Sequence, residues 1–275
     1  MGKVFVIELN KTYNENCLDT MKRIPTHTVD LTITSPPYDN LRDYNGYDFD
    51  FEEVVDELYR ITNPGGVVVW VVGDATISGS KTGTSFKQAL HFKEVGFDIY
   101  DVIIYEKSGT GPPHKNRYFN AFEYMFVFSK GKPKTINLLK DKKNKYGGTQ
   151  TFGDVTRRGK DGSLTNKGRK IINEFGIRTN IWRYNNGKGF TTKDDIAHQH
   201  PAIFPEKLVQ DHILSWSDEG DIVYDCFMGS GTTAKVAIEN NRNYIGSEIS
   251  KEYCDIIDKR LINIETNVKS WEKFI

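Results

Sequence analysis

The sequence predicts an α/β protein whose central, mostly parallel sheet lies between layers of helices. Residues 67–72 form an uninterrupted apolar, mostly β-branched run, which is typical of a strand covered on both faces. Segments such as residues 51–62, where apolar side chains recur at helical spacing, alternate with runs of this kind. Because the alternation occurs on both sides of an aperiodic segment, residues 130–196, the two flanks are expected to form one body.

The elements before the aperiodic segment follow from their residues. Residues 29–34 favour a strand and stop at two prolines, which lack an N–H and hold the preceding residue extended. Residues 51–62 place apolar side chains on one helix face, and residues 63–66, Asn-Pro-Gly-Gly, are predicted to end that helix in a turn. The other elements predicted here are a β-like start at 4–9, helix 17–24, strand 67–72, helix 85–95, strand 97–105 and strand 122–129.

After the aperiodic segment the alternation resumes. Pro205 suits the first turn of a helix, because its missing N–H has no partner there. The predicted elements are helix 205–216, strand 221–226, helix 232–240, strand 243–246 and helix 251–264. The chain therefore divides into two halves of one domain, residues 1–129 and 197–275, and an insertion, residues 130–196.

Composition indicates a globular protein without membrane or metal partners. No apolar run in the 275 residues approaches the roughly 20 needed to cross a bilayer, and the N-terminus lacks a signal-peptide core. Cys17, Cys226 and Cys254 contain no C-x-x-C pair, which argues against a disulfide framework or a zinc site. His198 and His200 lack the further ligands that a metal needs. We expect a location in a reducing cytosol.

The net charge of zero conceals a strong asymmetry. Residues 130–170 contain 13 Lys or Arg and 3 Asp or Glu, a net charge of +10, so the rest of the chain carries −10. Such separation indicates a segment that faces a polyanion, although a solvated, flexible loop is the alternative. Tyr146, Phe152 and the pair Arg157-Arg158 lie in the segment and favour a contact surface.

A first motif, Thr34-Ser35-Pro36-Pro37-Tyr38, follows the predicted strand 29–34. The prolines create a short, rigid rim with a hydroxyl, carbonyl groups without a ladder partner and an aromatic ring. Hydrogen-bond acceptors beside a stacking surface suit a planar group that carries an amine. An ordinary Pro-Pro turn is the alternative interpretation.

A second motif, DCFMGSGTT at residues 225–233, lies between a predicted strand and a predicted helix. Its glycines let the backbone turn sharply and approach a ligand closely, with a helix N-terminus behind them. Glu248 follows the next strand, 17 residues beyond Gly231, where a carboxylate can accept hydrogen bonds from ribose hydroxyls. Together these features indicate an adenosine-bearing cofactor, and the absence of G-K-[ST] excludes a P-loop.

Ser35-Pro36-Pro37-Tyr38, with Phe227-x-Gly229-x-Gly231 downstream, resembles the signature pair of DNA amino-methyltransferases that use S-adenosylmethionine. The motif order resembles the β class, a circular permutation of the usual methyltransferase, and residues 200–208 resemble the element before its cofactor loop. Nearly the whole chain fits, and the resemblance implies a protein of the bacterial cytosol whose gene is carried by the host or by a phage. The resemblance implies a circularly permuted, Rossmann-like methyltransferase sandwich with a mostly parallel central sheet. It implies an acceptor-amine half at 1–129, a basic target-recognition region at 130–196 and a cofactor-binding half at 197–275.

The resemblance also assigns roles at the rim. Ser35 Oγ and the Pro36 carbonyl would accept the two N–H bonds of an exocyclic amine, and the rate would come from positioning and electrostatics. Tyr38, next to Pro37, would stack on a base flipped out of the duplex. The implied catalytic residues are Ser35, Pro36, Pro37 and Tyr38.

For the cofactor, the resemblance implies one set of residues on both halves. Asn16 lies in the segment 15–18, where the family often has an Asp that contacts the adenine amine of the cofactor, and its amide oxygen could accept that hydrogen bond. Cys226 stands where a proline is usual, and we interpret its thiol as a packing group. The implied cofactor-binding residues are Asn16, Cys17, Ser35, His200, Phe204, Asp225, Phe227, Gly229, Ser230, Gly231, Thr232 and Glu248.

Double-stranded DNA is the expected partner. Arginines could contact guanines, although phosphate contact is the commoner role. The candidate nucleic-acid-binding residues are Lys142, Lys143, Arg157, Arg158, Arg169, Arg178 and Arg183. The sequence leaves a second copy of the chain and a cognate restriction nuclease open as further partners.

The acceptor atom has two candidates. Ser at position 35, instead of Asp or Asn, resembles enzymes that methylate cytosine N4 more than those that methylate adenine N6. Other functions that fit an amine at the rim are methylation of an RNA base or of a protein glutamine. A catalytically silent nucleic-acid-binding relative is the alternative outside enzymes, and the two intact motifs argue against it.

Overall fold

The structure, a computed structural model, describes residues 7–37, 49–109 and 115–271, the last nine by their backbone alone. Tyr38 and residues 4–6 of the expected first strand therefore lie outside the described residues. The chain forms two compact units. The larger unit comprises Met1–Asn137 and Ile181–Ile275, and the smaller unit comprises Leu138–Asn180.

The larger unit contains an eight-stranded sheet. Its strands in chain order are β1 (Lys11–Tyr13), β2 (Val29–Thr34), β3 (Thr62–Val72), β4 (Asp98–Lys107), β5 (Phe122–Ser129), β6 (Ile181–Tyr184), β7 (Ile222–Asp225) and β8 (Asn243–Ser247). Their order across the sheet is β1-β8-β7-β2-β3-β5-β4-β6. Strand β5 runs antiparallel to both of its neighbours, whereas all the other pairings in this sheet are parallel. The mostly parallel α/β prediction is therefore confirmed.

Two groups of helices pack on this sheet. The helices are α1 (Cys17–Arg23), α2 (Phe51–Ile61), α3 (Thr84–Val95), α4 (Glu206–Trp216), α5 (Thr232–Glu239) and α6 (Lys251–Trp271). Helix α2 contacts α1 and α3, and α5 contacts α4 and α6. Side chains alternate along a strand, so Val68 and Trp70 of β3 join the core of the first group, while Val69 faces the opposite side of the sheet.

Strand β3 begins five residues earlier than the sequence predicts. Asn63-Pro64-Gly65-Gly66 does not form a turn, because Thr62 already pairs with Val29 and the ladder resumes at Leu31 and Val67. The extra residues bulge out of the ladder, and the N–H of Gly65, at φ +81°, donates to Lys130 O at 2.7 Å. A bulge lets a proline and two glycines lie inside a strand.

The ends of the sheet also differ from the predictions. The first strand is Lys11–Tyr13, and the described part of residues 4–9 is irregular. Strand β6, which the sequence analysis leaves inside the insertion, pairs in parallel with β4 through Trp182 and Tyr105. Residues 200–205 are irregular, and α4 begins at Glu206.

The smaller unit is built from short antiparallel pairs. Lys142–Lys143 pairs with Phe175–Gly176, and Thr156–Arg158 pairs with Leu164–Asn166. Its limits, 138 and 180, lie inside those of the predicted insertion, since β6 and the segment after it belong to the larger unit.

Candidate active site

A cavity of about 740 Å³ opens in the larger unit where parallel strands end. Its wall includes residues that follow β2, β3, β7 and β8, together with the irregular segment before α4. The volume is in the range of sites that hold a small ligand or cofactor. The predicted cofactor residues that line it are Asn16, Cys17, Ser35, His200, Phe204, Asp225, Phe227, Gly229, Ser230, Thr232 and Glu248.

The two motifs meet because their strands are neighbours. Strand β7 pairs with β2 through Val223 and Leu31, so both strands end at one edge of the sheet. At that edge the Thr34 hydroxyl donates to Asp225 Oδ1 at 2.7 Å, across 191 residues of chain. The acceptor rim and the cofactor loop therefore border one space.

Asp225 fixes this junction through three hydrogen bonds. Besides the Thr34 contact, Oδ1 accepts the Phe227 N–H at 3.0 Å and Oδ2 accepts the Thr233 hydroxyl at 2.7 Å. Burial raises the pKa of Asp225 to about 6, and the hydrogen bonds from Thr233, Thr34 and Phe227 oppose that rise. Although Asp225 borders the cavity, its oxygens mainly connect β2, β7 and α5.

Glu248 lies at the end of β8 with each oxygen bound once. Its Oε2 accepts the Gly229 N–H at 2.8 Å and its Oε1 accepts the Ser250 N–H at 2.8 Å. Each oxygen keeps acceptor capacity for a ligand hydroxyl. Burial raises the pKa of Glu248 to about 7, while the backbone N–H groups lower it.

Glycine is required at two positions of the cofactor loop for different structural reasons. Gly229, at φ +55°, lies against the His200 ring, and a Cβ there would come within 3.1 Å of that ring. Gly231, at φ +80°, precedes α5 and faces Ile257 of α6, which a Cβ would approach to 2.9 Å. Gly231 is therefore placed against α6 and is absent from the residues that line the cavity.

Asn16 has a structural contact in addition to its place at the cavity. It is the N-cap of α1, and its amide oxygen accepts the Leu18 N–H at 2.9 Å. The oxygen predicted to accept an adenine amine thus already has one partner and retains one lone pair.

The cysteines of this region are free and buried. Burial raises the pKa of Cys17 to about 12 and that of Cys226 well above its ordinary value. Neutral buried thiols are unreactive, which agrees with the packing role expected for Cys226.

The cofactor loop is held from behind by Arg260 of α6. This buried guanidinium donates to the Ser230 carbonyl at 2.5 Å, to Glu206 at 3.0 Å and to Asp194 at 3.2 Å. The contacts tie the loop to α4 and to the segment that precedes it. Because the Ser230 carbonyl accepts a hydrogen bond from Arg260, the side of the loop that carries this carbonyl contributes to the fold.

His200 is also fixed. Its Nδ1 lies 2.7 Å from Ala202 O, and its ring packs edge-to-face on Tyr253 with centroids 4.3 Å apart. The ring therefore forms a rigid wall of the cavity beside Gly229. Phe227, another wall residue, packs on Phe49 with centroids 4.9 Å apart.

At the rim, the structure separates the four predicted catalytic residues. Ser35 and Pro37 are half-buried and line the cavity. Pro36 is buried and is absent from the residues that line the cavity. Tyr38 lies outside the described residues.

The far side of the cavity contains residues that the sequence analysis missed. Tyr105 and Lys107 from β4 and Glu123 from β5 line it, together with Asp74 after β3 and Asn186 after β6. Lys107 and Glu123 form an ion pair. Glu123, a charged side chain within the otherwise apolar predicted strand 122–129, was the available signal, whereas Lys107 lies beyond the predicted strand 97–105.

The candidate nucleic-acid-binding residues differ in what they contact. Lys142, Lys143, Arg157, Arg158 and Arg169 are exposed side chains of the smaller unit. By contrast, Arg178 donates from Nε to both Asp141 oxygens, at 3.1 and 3.0 Å, and is half-buried. Arg183 belongs to β6 of the larger unit and pairs with Glu106.

No metal or membrane element is found in the described residues. Within residues 7–37, 49–109 and 115–271, no group of three His, Cys, Asp or Glu side chains could hold a metal ion. No helix among them is both long and apolar enough to cross a bilayer.

Comparison with known proteins identifies the family. A family model described as DNA methylase, of the N6 and N4 type, matches residues 29–259. The chain therefore belongs to this family of DNA amino-methyltransferases, which use S-adenosylmethionine. The predicted family, fold class, enzyme class and cofactor are confirmed at this level.

Individual relatives cover most of the chain. The orphan methyltransferase M.BamHII of Bacillus amyloliquefaciens is 63% identical over 237 residues, which are 86% of this chain and 89% of that protein. The type II methyltransferase M.BglII of Bacillus subtilis is 29% identical over 259 residues, 90% and 68% of the two chains.

Solved structures share the fold. The cytosine-N4-specific PvuII DNA methyltransferase superposes with a TM-score of 0.64 at 22% identity, over 91% of this chain and 85% of that one. The complex of M1.HpyAVI with S-adenosylmethionine gives a TM-score of 0.58 at 23% identity, over 91% and 98%.

Proposed function

We propose that this protein methylates the exocyclic amine of a base flipped out of duplex DNA, with cytosine N4 as the preferred acceptor and S-adenosylmethionine as the donor. The observation that carries the proposal is that Ser35, Gly229 and Glu248 line one cavity. A donor site and an amine-accepting rim in one space allow direct transfer, without a covalent intermediate on the protein.

The residues on the cofactor side fit S-adenosylmethionine. Glu248 retains an acceptor lone pair on each oxygen for the two ribose hydroxyls, and Asn16 retains one on its amide oxygen for the adenine amine. The backbone at Gly229 has no Cβ to fill the space beside His200. When bound, the cofactor supplies an electrophilic methyl group on its sulfonium.

The rim acts on the amine. An exocyclic amine is a poor nucleophile because its lone pair is conjugated with the ring. Ser35 Oγ and the Pro36 carbonyl would accept its two N–H bonds and favour a pyramidal nitrogen, whose lone pair then points toward the methyl donor. Strand β2 and the two prolines hold these acceptors in place.

Cytosine N4 is preferred because Ser35 presents a neutral hydroxyl at the rim, as in the cytosine-methylating branch that the motif resembles. The smaller unit supports DNA as the partner, since it carries 11 Lys or Arg against 4 Asp or Glu. Its exposed Phe152 packs on Tyr146, which offers an aromatic surface among the cations. The buried, free cysteines suit the reducing cytosol proposed as the location.

The test is methyl transfer from labelled S-adenosylmethionine to unmodified duplex DNA, followed by digestion to nucleosides. We expect label in N4-methylcytosine. Label only in N6-methyladenine would identify adenine N6 as the acceptor atom instead of cytosine N4, and no label in DNA would overturn the proposal. RNA and a glutamine-containing protein, assayed in parallel, test the other amine substrates.

A further inference from the structure

We propose that Lys107, held in position by Glu123, recognises the ring edge of the target cytosine beside its amine, the edge that carries N3 and O2. The proposal rests on the function proposed above and assigns the base-recognising side of the same cavity. It concerns residues that belong to neither sequence motif.

The position of the pair follows from the sheet. From the rim outward, the strand order is β2, β3, β5, β4, so Glu123 on β5 lies two strand spacings from the end of β2. Two spacings are about 10 Å across the strands, and Glu123 also lies three residues, about 10 Å, beyond Phe126, which is level with Thr34 through Trp70. The gap between the rim and the pair is therefore wide enough for one base ring with a side-chain hydrogen bond on each side. A base whose amine lies at Ser35 can therefore direct the edge beside that amine, with N3 and O2, toward this pair.

Both side chains face the cavity from one side of the sheet. Tyr105 lies directly opposite Glu123 in the β4–β5 ladder, and Lys107, two residues on, is the diagonal neighbour of Glu123 on the same face. The Lys107 and Glu123 side chains are 22% and 17% exposed, and all three residues line the cavity. The ion pair is therefore largely removed from solvent but open to a ligand.

The surrounding contacts hold the pair in place. The Lys107 N–H donates to Ala121 O at 2.8 Å, which fixes the end of β4 against the start of β5. Asn186 Oδ1 accepts the Gly109 N–H at 2.8 Å and the Ser108 hydroxyl at 3.1 Å, and so fixes the backbone after Lys107. A side chain that starts from a fixed backbone loses little freedom when it binds.

The chemistry of the pair favours cytosine. An ammonium group has three N–H donors; one contacts Glu123, which leaves others for a base. The cytosine edge beside the amine presents two acceptors, N3 and O2, whereas adenine presents N1 and then a C–H. Lys107 thus gains a second acceptor only with cytosine. Glu123 is a positioning residue, since its carboxylate would repel the same acceptors and acts by orienting Lys107.

The test compares full-length Lys107→Met with the wild type on unmodified duplex DNA. We expect kcat/KM for cytosine methylation to fall roughly 10- to 100-fold, because the variant cannot form a hydrogen bond from a charged donor. The ratio of N4-methylcytosine to N6-methyladenine should fall as well, and the affinity for S-adenosylmethionine should stay unchanged. Lys107→Arg, which keeps the charge, should recover part of the activity.

A double variant separates positioning from a structural role. If Glu123 acts through Lys107, Glu123→Gln should lower kcat/KM in the wild type and cost nothing further in Lys107→Met. The control is Lys93→Met, an exposed lysine in the last turn of α3, which should behave as wild type.

Outcomes at each level are distinct. Wild-type transfer to cytosine with unchanged kcat/KM in Lys107→Met contradicts this inference and leaves the proposed function intact. Wild-type transfer only to adenine contradicts the cytosine preference itself. If Lys107→Met and Lys107→Arg both lose affinity for S-adenosylmethionine and melt early, the pair is structural and the inference is wrong.

Discussion

At the scale of single residues, the site depends on acceptors that the protein uses only in part. Glu248 accepts one backbone N–H on each oxygen and keeps a lone pair on each. Asn16 caps α1 with an oxygen that can accept once more. Groups of this kind are already oriented by the fold, so binding a ligand costs little additional order.

Ser35→Ala removes one acceptor from the rim. We expect turnover to fall by roughly 100-fold, the effect of removing one positioned polar group from a reacting centre. The affinity for S-adenosylmethionine, measured by calorimetry, should stay close to that of the wild type. Ser80→Ala, an exposed serine, is the matched control. Loss of cofactor binding in Ser35→Ala would show that the rim is structural.

The raised pKa of Glu248 predicts that the affinity for the cofactor depends on pH. With a pKa of about 7 in the free protein, the carboxylate is the minor form at pH 6 and the major form at pH 8. If the carboxylate is the form that binds the ribose, affinity should rise about tenfold over this range. Titrations at several pH values measure it. Glu248→Gln should bind more weakly, with a flat profile; an unchanged slope in that variant would exclude Glu248 as the group responsible.

The same pKa has a consequence for stability. Its value in the folded protein is raised above the ordinary 4.5, so the folded state holds the proton more tightly than the unfolded state. The contribution of Glu248 to stability is therefore present at low pH and is lost as pH rises through about 7.

The roles of residues in the two motifs could be predicted from the sequence because they depend on the conformation of the local backbone. Pro36 and Pro37 fix the rim through their rings, and Gly229 adopts a positive φ that favours glycine. Lys107 and Glu123 could not be found in this way, since they meet only through the pairing of β4 with β5. Gly231 belongs to the motif, yet its neighbour is Ile257, which no local pattern indicates.

At the scale of elements, the Asp225 carboxylate connects the strands and the helix that border the site. Its carboxylate connects the end of β2 through Thr34, the loop through Phe227 and the start of α5 through Thr233. It thereby sets the distance between the acceptor rim and the cofactor loop. Water is excluded where these elements pack together, so each buried polar group there needs a hydrogen-bond partner from the protein.

Asp225→Ala should lower the free energy of unfolding by about 3 to 5 kcal/mol, because it leaves two buried donors and one partly buried donor without their acceptor. Denaturant unfolding followed by circular dichroism measures the change. Asp255→Ala, on the exposed part of α6, is the control and should change stability by less than about 0.5 kcal/mol. A loss of similar size in both variants would contradict the assigned role of Asp225.

Most elements with strong apolar patterns were predicted to within a residue or two, whereas the last helix, predicted to end at residue 264, continues to Trp271. The errors have physical causes. Strand β2 and strand β5 match the prediction, since their apolar runs and flanking residues are unambiguous. Pro-Gly-Gly is as typical of a turn as of a bulge, so the sequence predicts a turn where β3 contains a bulge. Strand β6 is only four residues long and alternates exposed with buried side chains, a weak pattern beside a basic segment.

At the scale of the whole molecule, charge is separated between the units. The smaller unit has a net charge of +7, and the rest of the neutral chain therefore carries −7. Nucleic acid would be attracted to the former and repelled by much of the latter. The charge pattern was visible in the sequence, whereas the limits of the unit depended on β6 joining the main sheet.

DNA binding should therefore weaken steeply with salt. Replacing Lys142, Lys143 and Arg157 together by Gln should reduce the slope of log affinity against log salt by up to about 0.9 for each phosphate that these cations neutralise. Fluorescence anisotropy with labelled duplex DNA at several salt concentrations measures it. Arg178→Gln, whose partner is Asp141, should leave the slope nearly unchanged. A slope unaffected by the triple change would assign DNA binding to another surface.

The central claim is that one cavity holds the methyl donor and the amine-accepting rim. A crystal structure of the protein with bound S-adenosylmethionine tests it most directly. We expect the ribose hydroxyls at Glu248, with the sulfonium methyl beside Gly229 and directed toward Ser35 Oγ. A cofactor bound with its methyl group turned away from Ser35, or in another cavity, would contradict the account.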